Sequence, residues 1–274
     1  MTAAPPDTLR IAVVFFGITR SLRFTLESIT RNVIEPAKAM GAEVGLFGHF
    51  YDQSRINNPR SGEVGPLDRE EYQLLHLDKV ERELPGFCLA DYPIEELMQN
   101  GDYWKNNFRA FRNLVHQLHS LHRATLIAQD WQPDIVIFAR PDLYYLGSVS
   151  PWLAMLAQDP APQILAPDWA LWRGLNDRVA LARGADAIAA YGHRVKVMLD
   201  FCADGRKLHS EQLLQYALQD HRTRLIPLHA SRVRSDGRVV IEDFNPGRGA
   251  SGGGETMTFD AFIAAQTMQQ DAAP

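Results

Sequence analysis

Dense apolar runs alternate along this chain with stretches of helical spacing. Residues Arg10 to Phe16, RIAVVFF, form a near-continuous run of β-branched and aromatic type, the pattern of a central strand covered on both faces. Gly17 ends it. Leu22, Leu26, Ile29 and Val33 then recur at steps of four, three and four, which predicts a helix from about Thr19 that lays one stripe on the sheet until Pro36 disturbs it. A second strand is expected over 42–50. The Asn-, Pro- and Gly-rich stretch 54–66 reads as a long surface loop, with a lid as one use for it. Phe108, Phe111, Val115, Leu118, His122 and Thr125 share one face of a long helix expected to begin near Asp102.

That helix leads to the most informative segment, Asp134 to Tyr145, DIVIFARPDLYY. Five of the six residues from Ile135 to Arg140 are hydrophobic, and Pro141 then removes a backbone donor, so the strand stops and exposes Asp142. A carboxylate delivered at the C-terminal end of a buried strand is how open α/β sheets build ligand sites. Turn chemistry alone accounts for Pro-Asp equally well. Further short strands are expected around Ile164, around Val179, at 225–226 and at 239–241, with helices over 185–201, 210–218 and 259–269. Strands alternating with helices predict an α/β fold, a mainly parallel sheet flanked by helices.

A length of 274 residues suits a single domain, placed at 10–246 behind a flexible N-terminus, 1–9, and ahead of a Gly-rich linker and weakly helical tail, 247–274. The net charge of -5 argues against a general nucleic-acid or anionic-membrane binder. The local balance differs, because Arg222, Arg224, Arg232, Arg234, Arg238 and Arg248 face only Asp236, Glu242 and Asp243 in the same stretch. Such a concentration suits a small phosphorylated ligand or a solvated face. Cys88 and Cys202 are far apart and lack C-x-x-C spacing, and the chain has neither a signal-peptide pattern nor the ~18 uninterrupted apolar residues of a membrane span, so a cytoplasmic location is expected.

Several local signals lead nowhere. Gly247 to Gly252, GRGASG, matches G-x-G-x-x-G but has no βαβ unit after it, and reads as a flexible linker. His116, His119 and His122 step three residues at a time and so rotate away from one another on a helix, which argues against one shared metal ion. No expected strand runs directly into a G-x-S-x-G elbow, which argues against the Ser-His-Asp hydrolases of that kind.

An ordered set remains: Gly17, Thr19 and Arg20 after the first strand; Asn106, Asn107 and Phe108; Arg140-Pro141-Asp142-Leu143; Asn176-Asp177-Arg178; and His209-Ser210-Glu211. Together these resemble a GT-A-type bacterial glycosyltransferase of the polysaccharide-associated group in which Arg-x-Asp-Leu replaces Asp-x-Asp. The resemblance implies a GT-A-like, Rossmann-like single domain and transfer of a sugar from a nucleotide-diphosphate-sugar donor to a polysaccharide or glycolipid acceptor, as in lipopolysaccharide assembly. It implies a nucleotide-sugar partner and a saccharide or glycolipid partner, no nucleic acid, and leaves peripheral membrane association open.

Within that resemblance, donor contacts fall to Gly17, Thr19, Arg20, Asn107, Arg140, Asp142, Arg232 and Arg234, and acceptor contacts to Trp172, Asn176 and Arg178. Glu211 is the first choice of catalytic base and Asp177 the second, while Ser210 and Glu211 also fit plain helix capping. Asp142 could ligate Mn²⁺ or Mg²⁺ as one carboxylate beside phosphate oxygens. Arg140, standing where the first Asp is usual, either contacts the diphosphate or pairs with Asp142, and so leaves a metal-independent route open. A noncatalytic sugar or nucleotide-sugar binding protein on the same fold is the alternative reading.

Overall fold

Arg10–Gly17 forms the central strand β1, and Ile11 through Phe16 are all buried because its two faces serve two cores. Ile11, Val13 and Phe15 point to one side, Ala12, Val14 and Phe16 to the other, as the twofold repeat of a strand requires. The remaining strands of its sheet are β2 (Glu43–Tyr51), β3 (Lys79–Glu83), β4 (Ile135–Ala139), β5 (Gln163–Pro167), β6 (Val179–Arg183) and β7 (Thr223–Ile226). The computed structural model describes residues 8–58, 61–246 and 255–271, the last three by backbone alone. Segment 247–252, read above as a linker, and residues 1–7 lie outside the described residues.

The strand order is β3-β2-β1-β4-β6-β5-β7. β1 pairs parallel with β2 and β4, β2 with β3, and β5 with β7, while β6 runs antiparallel to both neighbours. The α/β class and the mainly parallel sheet flanked by helices are therefore as expected. Chain direction across the sheet reverses between β1 and β4, and such a switch point opens a crevice above the C-terminal strand ends. Gly17 and Arg140-Pro141-Asp142 stand at that crevice.

Helix α1 (Leu22–Ile29) covers one face through Leu22 and Ile29, and helix α2 (Arg109–Gln129) covers the other through Leu121, Ala124 and Ala128. Pro36 does not end the first helical segment as the sequence suggested. A π turn, Thr30–Ile34, intervenes and the helix resumes over Glu35–Ala39. Proline lacks the N–H that the Asn32 carbonyl would have received, and that carbonyl accepts from Val149 N at 2.9 Å instead.

α1 also carries a buried polar stripe. Thr25 Oγ1 donates to Pro141 O at 2.7 Å, Ser28 Oγ accepts from Tyr145 N at 3.1 Å, and Asn32 Nδ2 donates to Tyr145 O at 2.7 Å. These bonds fix the backbone that follows β4. The antiparallel pair Leu143–Tyr145 with Ala230–Arg232 sets Arg232 opposite Leu143, next to Asp142.

Two expectations need correction. Residues 54–66 are not a structureless loop: Arg55–Asn58 and Glu63–Pro66 pair antiparallel, and Glu63 is buried. The long helix begins at Arg109 rather than near Asp102, because the Asp102 carboxylate accepts from the backbone N–H groups of Trp104, Asn106 and Phe108 and orders a loop.

Candidate functional site: an arginine-lined cleft

Above the switch point lies a cavity of about 1160 Å³. Of the residues singled out from the sequence, Gly17, Arg20, Arg140, Asp142, Trp172, Asp177, Arg178, Glu211, Arg232 and Arg234 line it. Thr19, Asn107 and Asn176 stand outside the lining. Asn176 is 1% exposed and works internally, its amide donating to Trp169 O at 2.8 Å and accepting from Arg178 N at 3.0 Å.

Asp142 sits in a clamp. Its Oδ1 accepts from Arg140 Nε at 2.9 Å, and its Oδ2 accepts from Arg140 Nη2 at 2.8 Å and from Arg20 Nη2 at 2.5 Å. Burial alone would raise this carboxyl, but the Arg140 and Arg20 guanidinia overcome it and hold Asp142 well below the usual carboxylate range. With three guanidinium bonds on its two oxygens, a single lone pair left on Oδ1 and two fixed positive charges beside it, Asp142 is a poor ligand for a divalent cation. The expectation that Asp142 is a metal ligand is not matched by this geometry; the pairing of Arg140 with Asp142 is what the structure has.

Charges alternate outward from the clamp. Arg20 Nη1 and Arg234 Nη1 each donate to Glu63 Oε2 at 3.1 Å, and Glu242 Oε1 lies 2.9 Å from Arg178 Nη1 and 3.1 Å from Arg232 Nε. Nε of Arg20 and Nε of Arg234 are buried and make no hydrogen bond inside the protein. Burial first, then the Arg178 guanidinium, push Arg232 downward from the ordinary arginine range. Five guanidinia thus converge on one wall of the cleft against Glu63, Asp142, Asp177 and Glu242. A cluster crowded with like charge and holding unsatisfied donors is suited to an anion.

A pair of carboxyls borders the arginines. Asp177 accepts from Gln117 Nε2 at 2.8 Å and from the Ser210 hydroxyl. Burial opposes its ionisation, yet Arg194 and Arg140, with the Ser210 bond, hold it below the usual value. Glu211 opens helix α3 (Ser210–Ala217), and burial first, then the Asp177 charge, push its carboxyl up to about 8. Two neighbouring carboxyls driven apart in this way define an anionic member and a proton-carrying member.

Backbone strain gathers around the same cleft. Ala170, Trp172 and Arg173 have φ of 50°, 46° and 65°, and Lys105, Asn107 and Phe108 have φ of 53°, 58° and 56°. Non-glycine residues held in the left-handed region cluster at ligand sites more than elsewhere. Gly174 lets the strained Trp172 turn reach α3: Leu175 N donates to Glu211 O at 3.0 Å, and a Cβ on Gly174 would lie 2.1 Å from that carbonyl oxygen. Aromatic surface is supplied by Tyr103, Trp104 and Trp172.

Sequence reasoning missed Glu63, Glu242 and Gln117. Glu63 lies in a hairpin without apolar alternation, and Glu242 is one acid among several near the C-terminus; neither carries a motif. Gln117 lies one helical position from His116, where histidine drew attention instead.

Solved structures similar to this chain include the apo form of mouse xyloside xylosyltransferase 1, with 14% identity, a TM-score of 0.40, and coverage of 81% of this chain and 85% of that one. The glycosyltransferase GlyE of Streptococcus pneumoniae TIGR4 matches at 12% identity and a TM-score of 0.40, over 80% of this chain and 45% of GlyE, so the chain spans about half of that protein. A glycosyltransferase involved in glycosylation of the major capsid of PBCV-1 matches at 10% identity and a TM-score of 0.38, over 80% of this chain and 81% of that one. No protein-family model and no curated protein matches the chain. The structural likeness is slight at these scores, and the chemistry of the site has to be read from its own residues.

Proposed function

We propose that this protein is a glycosyltransferase that binds a nucleotide-diphosphate sugar in the arginine-lined cleft and transfers the sugar to a saccharide or glycolipid acceptor. The observation that carries the reading is the convergence of Arg20, Arg140, Arg178, Arg232 and Arg234 over the switch point, beside Asp177 and a Glu211 raised to about 8. The Arg-Pro-Asp-Leu resemblance agrees with it. A cavity of about 1160 Å³ is large enough for a nucleotide sugar and part of an acceptor.

In this reading the leaving diphosphate takes its charge stabilisation from fixed guanidinia rather than from a metal at Asp142. Asp142 acts indirectly, holding Arg140 and Arg20 in place. Glu211 in its ionised form, populated as pH rises through about 8, or the already anionic Asp177 as second choice, accepts the proton of the acceptor hydroxyl, and the aromatic surface of Trp172 receives the acceptor ring. A polysaccharide or lipopolysaccharide acceptor, a bacterial setting and a cytoplasmic location belong to this proposal and rest on the resemblance. No helix among the described residues is long and apolar enough to cross a membrane.

Calorimetric titration with UDP, GDP, TDP and CDP, each with EDTA and with Mn²⁺, tests the binding step. Micromolar binding of one nucleoside diphosphate that survives EDTA supports the reading, and no binding across the panel refutes it. The Asp142 clamp also favours a second reading, a nucleotide-sugar binder without turnover. Slow hydrolysis of the bound donor separates the two, since a binder leaves the donor intact.

A further inference from the structure

A second cluster of ligating side chains lies behind the cleft wall, on β2, β3 and α2. His49, Glu83 and His119 each offer one potential donor atom, and those atoms all lie within 4.8 Å of one another. His49 Nε2 is 3.8 Å from Glu83 Oε2, and His119 Nε2 is 3.2 Å from Glu83 Oε1. Two ligands of a tetrahedral zinc ion stand about 3.3 Å apart, given Zn–N and Zn–O lengths of about 2.0–2.1 Å. The His119–Glu83 spacing equals that separation, and the His49–Glu83 spacing exceeds it by about 0.5 Å, within reach of a small side-chain rotation. His49 and His119 are 1% and 6% exposed, and neither His119 Nε2 nor Glu83 Oε1 makes a hydrogen bond despite their proximity.

Hydrogen bonding fixes which nitrogen of His49 faces the cluster. Ser120 Oγ donates its one proton to His49 O at 2.8 Å and accepts from Gly17 N at 2.7 Å. Its contact with His49 Nδ1 at 2.9 Å must then be a bond donated by the ring, because the hydroxyl has one lone pair left and no second proton. In the neutral ring this leaves Nε2 as a bare lone pair turned toward a carboxylate oxygen. Two electron-rich atoms facing one another in a buried place call for a cation between them. His119 Nδ1 lies 2.8 Å from Tyr92 OH, a contact that either partner can donate, and its Nε2 is turned inward to Glu83 Oε1. Outer-nitrogen hydrogen bonds of this kind orient metal-binding imidazoles. The nearby Arg123 is drawn off by Glu81 at 2.7 Å.

We propose that His49, Glu83 and His119 form a binding site for one divalent transition-metal ion of the zinc type, with a fourth position open to water. The ion joins edge strand β3 to β2 and α2, and through Ser120 it braces the Gly17 turn at the floor of the cleft. Two imidazoles and one carboxylate are the donors that borderline-soft ions take, whereas Mg²⁺ prefers an all-oxygen shell.

The test is Zn²⁺ titration of the EDTA-treated, dialysed full chain against a chromophoric chelator, with Co²⁺ as a visible-absorption probe of four-coordinate geometry. Wild type is expected to take up one equivalent and to gain thermal stability. His119→Ala and the isosteric Glu83→Gln should each weaken binding by more than about 100-fold, since even loss of an outer-shell partner costs 10- to 100-fold. His122→Ala should leave binding unchanged; it removes a different contact, His122 Nδ1 to His193 Nδ1 at 2.6 Å. Circular dichroism confirms that each variant is folded, and Glu83, with 28% of its side chain exposed, is the safer of the two ligand positions to change. Absence of Zn²⁺ uptake by wild type, or uptake that survives both ligand variants, overturns the proposal.

Discussion

Glu211→Gln is expected to stabilise the protein at alkaline pH and to leave its stability in mild acid unchanged. The wild-type carboxyl, 14% exposed and beside Asp177, keeps its proton up to about pH 8 in the folded state, against an ordinary value of 4.5 when unfolded. Between those two values the folded protein binds more protons than the unfolded chain, so stability falls as pH rises and the full penalty is present above about 8. At about 1.4 kcal/mol per pH unit the upper bound is on the order of 5 kcal/mol. Water reaching the partly open side chain and local relaxation reduce this, and about 2 kcal/mol is the expected gain from glutamine, which cannot ionise. Urea unfolding at pH 5 through 9 reads it directly as the difference between the two proteins' extrapolated stabilities. Curves that diverge above about pH 6, with the variant the more stable, support a protonated buried Glu211. Parallel curves across the range would refute the assignment, and with it the division of labour between Glu211 and Asp177.

Arg232→Ala is expected to weaken nucleoside diphosphate binding by about 10- to 100-fold, the worth of one charge-assisted bond, with little change in stability because Glu242 keeps Arg178 at 2.9 Å; calorimetry and thermal melts check the two halves. If Glu211 is the catalytic base, donor turnover to acceptor should rise with pH through about 8 and flatten above it, and Glu211→Gln should abolish that rise; a rate that falls over the same range would make Glu211 an acid instead. Gly174→Ala, whose new methyl would meet the Glu211 carbonyl oxygen at 2.1 Å, should cost about 2 kcal/mol or more and weaken binding at the cleft, read by denaturation and titration. Asp142→Asn leaves two buried guanidinia short of charge and should destabilise by about 3–5 kcal/mol, with any effect of EDTA, such as removal of an ion from His49, Glu83 and His119, the same in both proteins; an EDTA-sensitive wild-type melt that becomes insensitive in Asp142→Asn would restore a metal at that position.

What the sequence made legible follows from where apolar burial is two-sided. β1 and β4 are continuous runs because each face meets a core, so both strands and the exit at Arg140 could be read directly. β3, Lys-Val-Glu-Arg-Glu, left no such mark: it is an edge strand whose side chains are mostly half-buried or exposed, and charge suits an edge. Asp102 was misleading because its carboxylate orders backbone N–H groups before the helix rather than at its first turn. His119 reads as one of three histidines on a helix until β2 and β3 bring His49 and Glu83 against it. The three histidines do diverge, His116 Nε2 accepting from Gly86 N at 3.1 Å and His122 meeting His193. Contacts of this sort depend on strand order, which no local spacing encodes.

The clamp on Asp142 gives the Arg-Pro-Asp segment a physical purpose that a metal does not require. An arginine cluster with free side chains would repel itself and lose rotamer freedom on meeting an anion, so its binding would be weakened by ordering it. Here Asp142 fixes Arg140 and Arg20, Glu63 fixes Arg20 and Arg234, and Glu242 fixes Arg178 and Arg232, so each acid holds two guanidinia before any ligand arrives. The acids do not cancel the field entirely, since five guanidinia meet these three carboxylates and Asp177. Such a wall is preorganised for charge that develops on a leaving group, which is where fixed donors act most strongly. Buried ion networks of this kind contribute little to stability compared with apolar packing. Their presence at the strand ends, rather than anywhere in the two cores, is therefore better explained by a ligand than by the fold.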